Sequence, residues 1–194
     1  MKYLKTLGLA AIAAMALMAF VGAGTASATT LNNGTETLKT GSAIASSLIT
    51  GTSADLKDTT GATIATCTGS SVSGKTTNET GEKVNGNIES LTWTGCSQTT
   101  DTLANGTLSI KRTGENEGEV SSKGFTVTLG IFGVTCTYGS GEGIKIGFVK
   151  GGSRARWIIK TVLRLFGGGF LCPSTAAWEA EYEVTTPATL NIVP

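Results

Sequence analysis

Alternating apolar and polar positions dominate the second half of the chain. From 125 to 131, apolar side chains at odd positions alternate with Thr126, Thr128 and Gly130, a period of two that is typical of a strand with one buried face. Weaker versions of the pattern, laced with polar residues, precede it, and Asn85-Gly86 and Asn105-Gly106 predict tight turns. The predicted strands are 43–49, 63–68, 84–93, 107–112, 125–131, 134–138, 144–149, 154–166 and 178–184.

The segment 154–166 fits two periodicities. Arg156, Lys160 and Arg164 are spaced as on one side of a helix, but such a helix would be apolar nearly all round, which is a poor match to a solvent-facing helix. We therefore predict a strand, joined to 144–149 by a hairpin turn at 150–153 and long enough to need a bulge or interruption. Its two faces are Ala155, Trp157, Ile159, Thr161, Leu163 and Leu165 on one side and Arg154, Arg156, Lys160 and Arg164 on the other.

The last predicted strand carries the opposite charge. Its apolar positions, Trp178, Ala180, Tyr182 and Val184, alternate with three glutamates. If the two strands pair, their exposed cations and anions neutralise each other across the sheet. In the alternative interpretation, the cations form a face that binds teichoic acid, acidic polysaccharide or membrane phosphate. The candidate anionic-polymer face is Arg154, Arg156, Lys160 and Arg164, and the acidic positions are Glu179, Glu181 and Glu183.

The first 28 residues have the pattern of a cleaved secretory signal helix. Lys2 and Lys5 precede an apolar run over 7–21, and Ala26-Ser27-Ala28 supplies the small residues that a signal peptidase requires. The run is too short to span a bilayer, and no second one follows, so no membrane span is expected in the mature chain. We predict a signal peptide at 1–28 and a single secreted, extracellular domain at 29–194.

All four cysteines lie after this leader. An even number of cysteines in an exported chain predicts disulfides, and four allow three connectivities. The sequential pairing is favoured because it closes two loops of similar, moderate length. No C-x-x-C spacing is present, so neither a redox pair nor a zinc ribbon is indicated. The expected pairs are Cys67 with Cys96 and Cys136 with Cys172.

Composition and charge remove several classes of function. The chain has no His, which excludes Ser-His-Asp and Cys-His catalysis and His-ligated zinc. Loss of Lys2 and Lys5 with the leader changes the formal net charge from +1 to −1, which argues against a nucleic-acid partner. We identify no catalytic, cofactor or metal site. A glycosidase-like extracellular hydrolase that works through carboxylates alone is the alternative.

Two local motifs suggest chemistry that their surroundings do not support. Residues 69–76 match the phosphate-loop pattern G-x-x-x-x-G-K-[ST], but a helix must follow such a loop and the residues after Thr76 leave no room for one. Glu115, Glu117 and Glu119 could offer oxygens to Ca²⁺, yet the EF-hand spacing is absent and a solvated turn is the favoured interpretation.

The regular strands, glycine-rich turns and paired cysteines predict an all-β domain. We expect a disulfide-stapled antiparallel β-sandwich of two packed sheets, immunoglobulin-like or jelly-roll-like. The large aromatic side chains are expected in its core, with a sugar-stacking platform as the alternative. These residues are Trp93, Trp157, Trp178, Tyr138 and Tyr182.

Three segments resemble a family of uncharacterised secreted proteins from actinobacteria. They are the leader with its continuation to Leu31, the Leu-Thr-Trp-Thr-x-Cys element at 91–96, and the ending from Cys172 through Thr185. The resemblance implies export, the four-cysteine framework and a β-rich domain, and it transfers no activity, ligand or catalytic residue. The sequence thus predicts a non-catalytic extracellular or envelope-associated protein, with a cell-wall polymer or glycan as its candidate partner.

Overall fold

The computed structural model describes residues 28–131 and 133–194, and these form strands and turns with no helix. All but the last residue of the predicted signal peptide therefore lie outside the described residues. The strands are β1 (Thr29–Asn32), β2 (Ala43–Leu48), β3 (Ala54–Lys57), β4 (Thr63–Thr76), β5 (Thr80–Gly81), β6 (Val84–Cys96), β7 (Thr100–Ala104), β8 (Thr107–Gly114), β9 (Glu117–Lys123), β10 (Thr126–Ile131), β11 (Val134–Gly139), β12 (Ile144–Lys150), β13 (Arg156–Gly167), β14 (Thr175–Thr186) and β15 (Asn191–Val193).

Eight antiparallel strands close into a barrel. Hydrogen-bonded neighbours run from β14 through β3, β4, β6, β8, β9, β12 and β13, and β13 pairs again with β14. The all-β prediction is confirmed, but the predicted sandwich is wrong. A sandwich needs two sheets that each end at an edge strand, whereas β13 and β14 are hydrogen-bonded on both sides and continue the sheet.

The long strands change partners along their length. β13 pairs with β12 from Arg156 to Ile159 and with β11 from Arg164 to Gly167, and β2 and β3 share the place between β14 and β4. β10 and β7 extend the sheet beyond β11, and the Thr102 hydroxyl of β7 donates to the carbonyl of Leu91 in β6, 2.9 Å away. The interruption predicted for 154–166 is therefore a change of partner, together with a register shift in the pairing with β11, within one continuous strand.

Apolar side chains from all around the ring fill the interior. The predicted inward face of β13 is correct, since Trp157, Ile159 and Leu163 are all buried. Across from them, the ring of Trp178 in β14 stacks on Phe125 with 5.5 Å between centroids. An eight-stranded barrel is just wide enough for side chains to fill it, which explains why the large aromatic residues gather here.

A small sheet of β15, β1 and β5 packs against one end of the barrel. Leu31 of β1 and Ile192 of β15 are buried, and Leu31 lines the same small cavity as Ile110 of the barrel. The Thr29 hydroxyl donates to the carbonyl of Glu82 and accepts from the backbone N–H of Arg112. The sheet thus covers apolar side chains that would otherwise face water at that end.

Two disulfides confirm the predicted sequential pairing. Cys67–Cys96 links directly opposed residues of β4 and β6, and Cys136–Cys172 ties β11 to the segment between β13 and β14. Their sulfurs join positions 29 and 36 residues apart, and all four cysteines of the chain are used. Two disulfides are compatible with an extracellular protein.

One turn prediction is wrong. Asn85 and Gly86 lie inside β6, paired with β8, and the turn falls earlier, at 77–83. An Asn-Gly pair normally marks a tight turn because both residues tolerate positive φ, but here Gly86 serves another need. A Cβ at Gly86 would lie 3.0 Å from the carbonyl oxygen of Lys75, so the close approach of β4 accounts for the glycine.

Candidate functional site

The predicted cations lie on the outer face of β13. Arg156, Lys160 and Arg164 are exposed, while the residues between them on the odd positions point into the barrel. Alternation of side chains along a strand places all three on one side of the sheet. Arg154 precedes β13 in the turn after β12 and is also exposed. The four residues predicted from the sequence are therefore brought to one region of the surface.

Part of this charge is neutralised by β14, as the paired-strand interpretation expects. Lys160 lies opposite Glu179, with 3.6 Å between Nζ and Oε1, and Arg154 Nε lies 2.9 Å from Glu183 Oε1. A hydrogen bond from Lys57 in β3, together with the charges of Lys57 and Lys160, lowers the pKa of Glu179. Glu179 and Glu183 of β14 thus neutralise Lys160 and Arg154.

Arg156 and Arg164 keep their charge exposed. Among the residues that the structure describes, neither guanidinium forms an ion pair. Arg156 is opposite Glu183 in the register, but that carboxylate is engaged by Arg154, and Arg164 is opposite the uncharged Thr175. Cross-strand neutralisation is therefore incomplete, and both ends of the row remain cationic.

Apolar side chains share the outer face with the cations. Ile158 and Val162 occupy the positions between them and Phe166 follows Arg164, and Val162 and Phe166 are each 56% exposed. Phe148 of β12 is directly opposite Ile158, and the Lys145 ammonium lies 3.9 Å from the centroid of the Phe148 ring. The face predicted from the sequence contains only the cations, although the same period of two places these three apolar residues beside them.

Two more exposed apolar side chains follow in the segment after β13. Phe170 is 96% exposed and Leu171 is also exposed, directly before Cys172. The disulfide to Cys136 fixes the segment to β11, and the Tyr138 hydroxyl donates to the carbonyl of Pro173 at 3.0 Å. The backbone that carries Phe170 and Leu171 is therefore fixed on its C-terminal side, and both side chains are held in water just after β13.

A second outer feature is a groove of about 390 Å³ beside the acidic strand. Asp55, Glu179 and Glu181 line it, together with Ile158 and Lys160 of β13, so it is a place where carboxylates meet in a groove, as carboxylate-based hydrolysis requires. Asp55 accepts hydrogen bonds from the hydroxyls of Ser53 and Thr66 at 3.0 and 2.8 Å. The hydrogen bond from Lys57 lowers the pKa of Glu179, whereas a general acid requires a raised pKa.

The barrel interior offers little space. Its cavities measure about 50, 30 and 30 Å³, far below the several hundred Å³ of a typical small-molecule site. Trp157, Trp178, Tyr138 and Tyr182 are buried, so they fill the core as expected and cannot stack on a sugar. Trp93 is half-buried and donates from Nε1 to the Thr102 hydroxyl at 3.0 Å.

The phosphate-loop match at 69–76 lies inside β4, where the backbone belongs to the ladders with β2 and β6. Its glycines allow strands to approach, because a Cβ at Gly74 would lie 2.1 Å from the carbonyl oxygen of Asn87. Lys75 pairs with Glu89 at 2.8 Å, and the Thr76 hydroxyl donates to the carbonyl of Lys39. The motif is used for packing.

The acidic segment at 115–119 forms the β8–β9 hairpin, with Asn116 at a φ of 55° in its turn. No group of three or more Asp, Glu, Cys or His side chains within 28–131 and 133–194 is arranged to hold a metal ion. None of those residues belongs to a helix long and apolar enough to cross a bilayer. No protein-family model, curated protein or solved structure matches the chain.

Proposed function

We propose that the protein is an exported, non-catalytic binding protein that holds an anionic polymer of the cell envelope on the outer face of β13. The observation that carries this proposal is the row Arg156, Lys160 and Arg164, whose two ends have no ion pair among the described residues. Membership in the secreted actinobacterial family and release into the extracellular space, with or without envelope attachment, are parts of the same proposal.

The spacing of the cations suits a linear polyanion. Successive cations are four residues apart, which at about 3.3 Å per residue is about 13 Å along a strand. A chain with repeated phosphate or carboxylate groups can contact all of them without bending. Because the contacts are between exposed charges, binding should weaken as the salt concentration rises.

Polymer binding is tested with lipid-free poly(glycerol phosphate) as the anionic probe and dextran as the neutral probe. We expect R156Q/R164Q to bind the anionic probe at least about tenfold more weakly, since two charge-assisted contacts are lost. The matched control is K39Q/K83Q, which removes the same charge from exposed positions before β2 and before β6. Equal losses in both variants, or no loss in R156Q/R164Q, would overturn the proposal.

The alternative function, carboxylate-dependent hydrolysis, is favoured by the groove beside β14. Asp55 and Glu181 are the carboxylates there that form no ion pair among the described residues, whereas Glu179 is engaged by Lys57 and Lys160. Our proposal expects no release of reducing sugar from cell-wall polysaccharide. Hydrolysis by the wild type that disappears in D55N/E181Q would establish the enzyme instead.

A further inference from the structure

The exposed apolar side chains of the protein are concentrated on one side. Six of the seven large hydrophobic residues that are exposed in the described part of the chain lie on β12, on β13 or in the segment after it. A concentration of exposed apolar side chains of this kind normally marks a place of interaction. The seventh, Leu103, lies on β7 and provides an internal control. The six are Phe148, Ile158, Val162, Phe166, Phe170 and Leu171.

We infer that this surface docks onto an anionic lipid bilayer, with Phe166, Phe170 and Leu171 entering the acyl region and Arg156 and Arg164 contacting lipid phosphates. The inference rests on the proposed function, because it uses the same cations, and it specifies where in the envelope the protein binds. The apolar residues alternate with cations along β13, and a bilayer interface presents acyl chains and phosphates side by side.

Charge and apolar exposure together favour a bilayer over other occupants of this face. In a symmetric dimer the same patch lies on both copies, so two cationic surfaces would be brought together. An uncharged apolar partner would bury Arg156 and Arg164 without counter-charges, which is costly. A soluble polyanion alone would leave Val162, Phe166 and Phe170 in water. An anionic bilayer satisfies both kinds of side chain.

The end of β13 is fixed before any lipid is bound. The Cys136–Cys172 disulfide and the hydrogen bond from Tyr138 to Pro173 hold the segment that carries Phe170 against β11. Fixing the backbone in advance reduces the conformational entropy that would be lost when its side chains enter the bilayer. Phe170 is almost fully exposed, so its replacement tests insertion without disturbing the core.

The first experiment measures binding to phosphatidylglycerol vesicles and to phosphatidylcholine vesicles. We expect the wild type to bind only the anionic vesicles, F170S to bind about tenfold more weakly, and R156Q/R164Q about 30-fold more weakly. L103S removes an exposed apolar side chain from β7 and should bind as the wild type does. F170S should bind lipid-free poly(glycerol phosphate) like the wild type, because its cations are intact.

The second experiment measures the depth of insertion. In F170W, the new tryptophan should be quenched by phosphatidylglycerol with brominated acyl chains, beyond any quenching of the three native tryptophans. In L103W, the new tryptophan should not be quenched. Quenching that is equal in the two variants, or absent from F170W when it is bound, would overturn insertion.

The outcomes separate the inference from the proposed function. Polymer binding without vesicle binding overturns the inference and retains the proposed function. Vesicle binding that F170S and R156Q/R164Q weaken, without binding to the lipid-free polymer, supports the inference and removes the polymer from the proposed function. Failure to bind either probe overturns both. A dimer in solution that F170S dissociates would show that a second copy covers this face, which also overturns the inference.

Discussion

Two outer faces of one barrel differ sharply in chemistry. β6 lies four strands from β13 in either direction around the ring, so the outer face of β4 and β6 is opposite that of β12 and β13. On the β4–β6 face, the hydroxyls of Ser71 and Thr92 are 2.7 Å apart, and Lys75 pairs with Glu89. On the β13 face, Arg156 and Arg164, which form no ion pair among the described residues, share a row with Lys160 and with exposed apolar side chains.

The difference shows which features the barrel itself requires. Both faces rest on the same kind of interior, and each strand pair supplies alternating inward apolar residues. On the β4–β6 face, polar side chains pair with one another. A stable outer surface of this barrel therefore does not require arginines without ion pairs or exposed aromatic side chains. The composition of the β13 face therefore points to a function outside the fold, and the following predictions separate the two faces.

The largest effect is expected from Trp178→Ala, in the interior that both faces share. Trp178 stacks on Phe125 and meets Trp93 edge-on at 6.0 Å, so its removal leaves a cavity that the closed ring cannot collapse to fill. We expect a loss of about 3–5 kcal/mol in the free energy of unfolding, measured by urea denaturation. The exposed control L103A should change it by less than about 0.5 kcal/mol. A similar small change for W178A would contradict the described packing.

The two disulfides should separate the faces. Loss of either, in C67A/C96A or C136A/C172A, is expected to cost about 2–4 kcal/mol of unfolding free energy, because the two loops have similar lengths. At a temperature where both variants remain folded, only C136A/C172A should lose affinity for anionic vesicles, since it alone releases the Phe170 segment. Equal losses of affinity would mean that the fixed segment has no special role.

A pH effect is expected at a hydrogen bond inside the barrel. The Tyr182 hydroxyl of β14 donates to Ser70 of β4, and burial raises its pKa to about 12. Because the folded-state pKa exceeds the unfolded value near 10, its contribution is complete below pH 10 and is lost as the pH rises through 12. Unfolding free energy should fall by about 1.4 kcal/mol per pH unit in that window.

The matched variant for this pH effect is Tyr182→Phe, which keeps the ring and cannot ionise. Its stability between pH 10 and 12 should decline less steeply than that of the wild type. Identical slopes would show that the buried hydroxyl does not govern the alkaline response.

The smallest effects are expected from the outer faces themselves. R156Q/R164Q should change the unfolding free energy by less than about 0.5 kcal/mol, because neither guanidinium has an ion pair within the described residues to lose. T92A removes the hydroxyl that Ser71 contacts and should cost about 0.5–1 kcal/mol while leaving anionic binding unchanged. A clearly destabilised R156Q/R164Q would indicate a structural role for the arginines.

Sequence patterning predicts most strands that line the interior, though not β3 or β9, together with the β12–β13 hairpin and, as the favoured interpretation, the pairing of β13 with β14. It succeeds there because burial on one face imposes a period of two, and because charge opposition marks β13 and β14 as neighbours. The cysteine pairing also follows from the sequence, since both pairs join positions about thirty residues apart.

Closure of the ring could not be predicted in this way. It depends on which strands β3 and β2 join, and β3 has only four residues, too few for the alternation of Ala54 and Leu56 with Asp55 and Lys57 to be recognised as a strand. Asn85-Gly86 fails as a turn because local turn chemistry is overridden by the approach of β4. The period of two also places Ile158, Val162 and Phe166 on the outer face of β13. Their exposure to solvent, which makes them candidates for binding, is shown only by the structure.

The central claim, that the outer face of β13 is the binding surface, is tested most directly by NMR. Isotope-labelled protein is titrated with lipid-free poly(glycerol phosphate), and backbone shift changes are mapped onto the barrel. We predict changes over β13, centred on Arg156, Lys160 and Arg164, with β4 and β6 unaffected. Changes centred on β4 and β6, or no changes at saturating polymer, would contradict it.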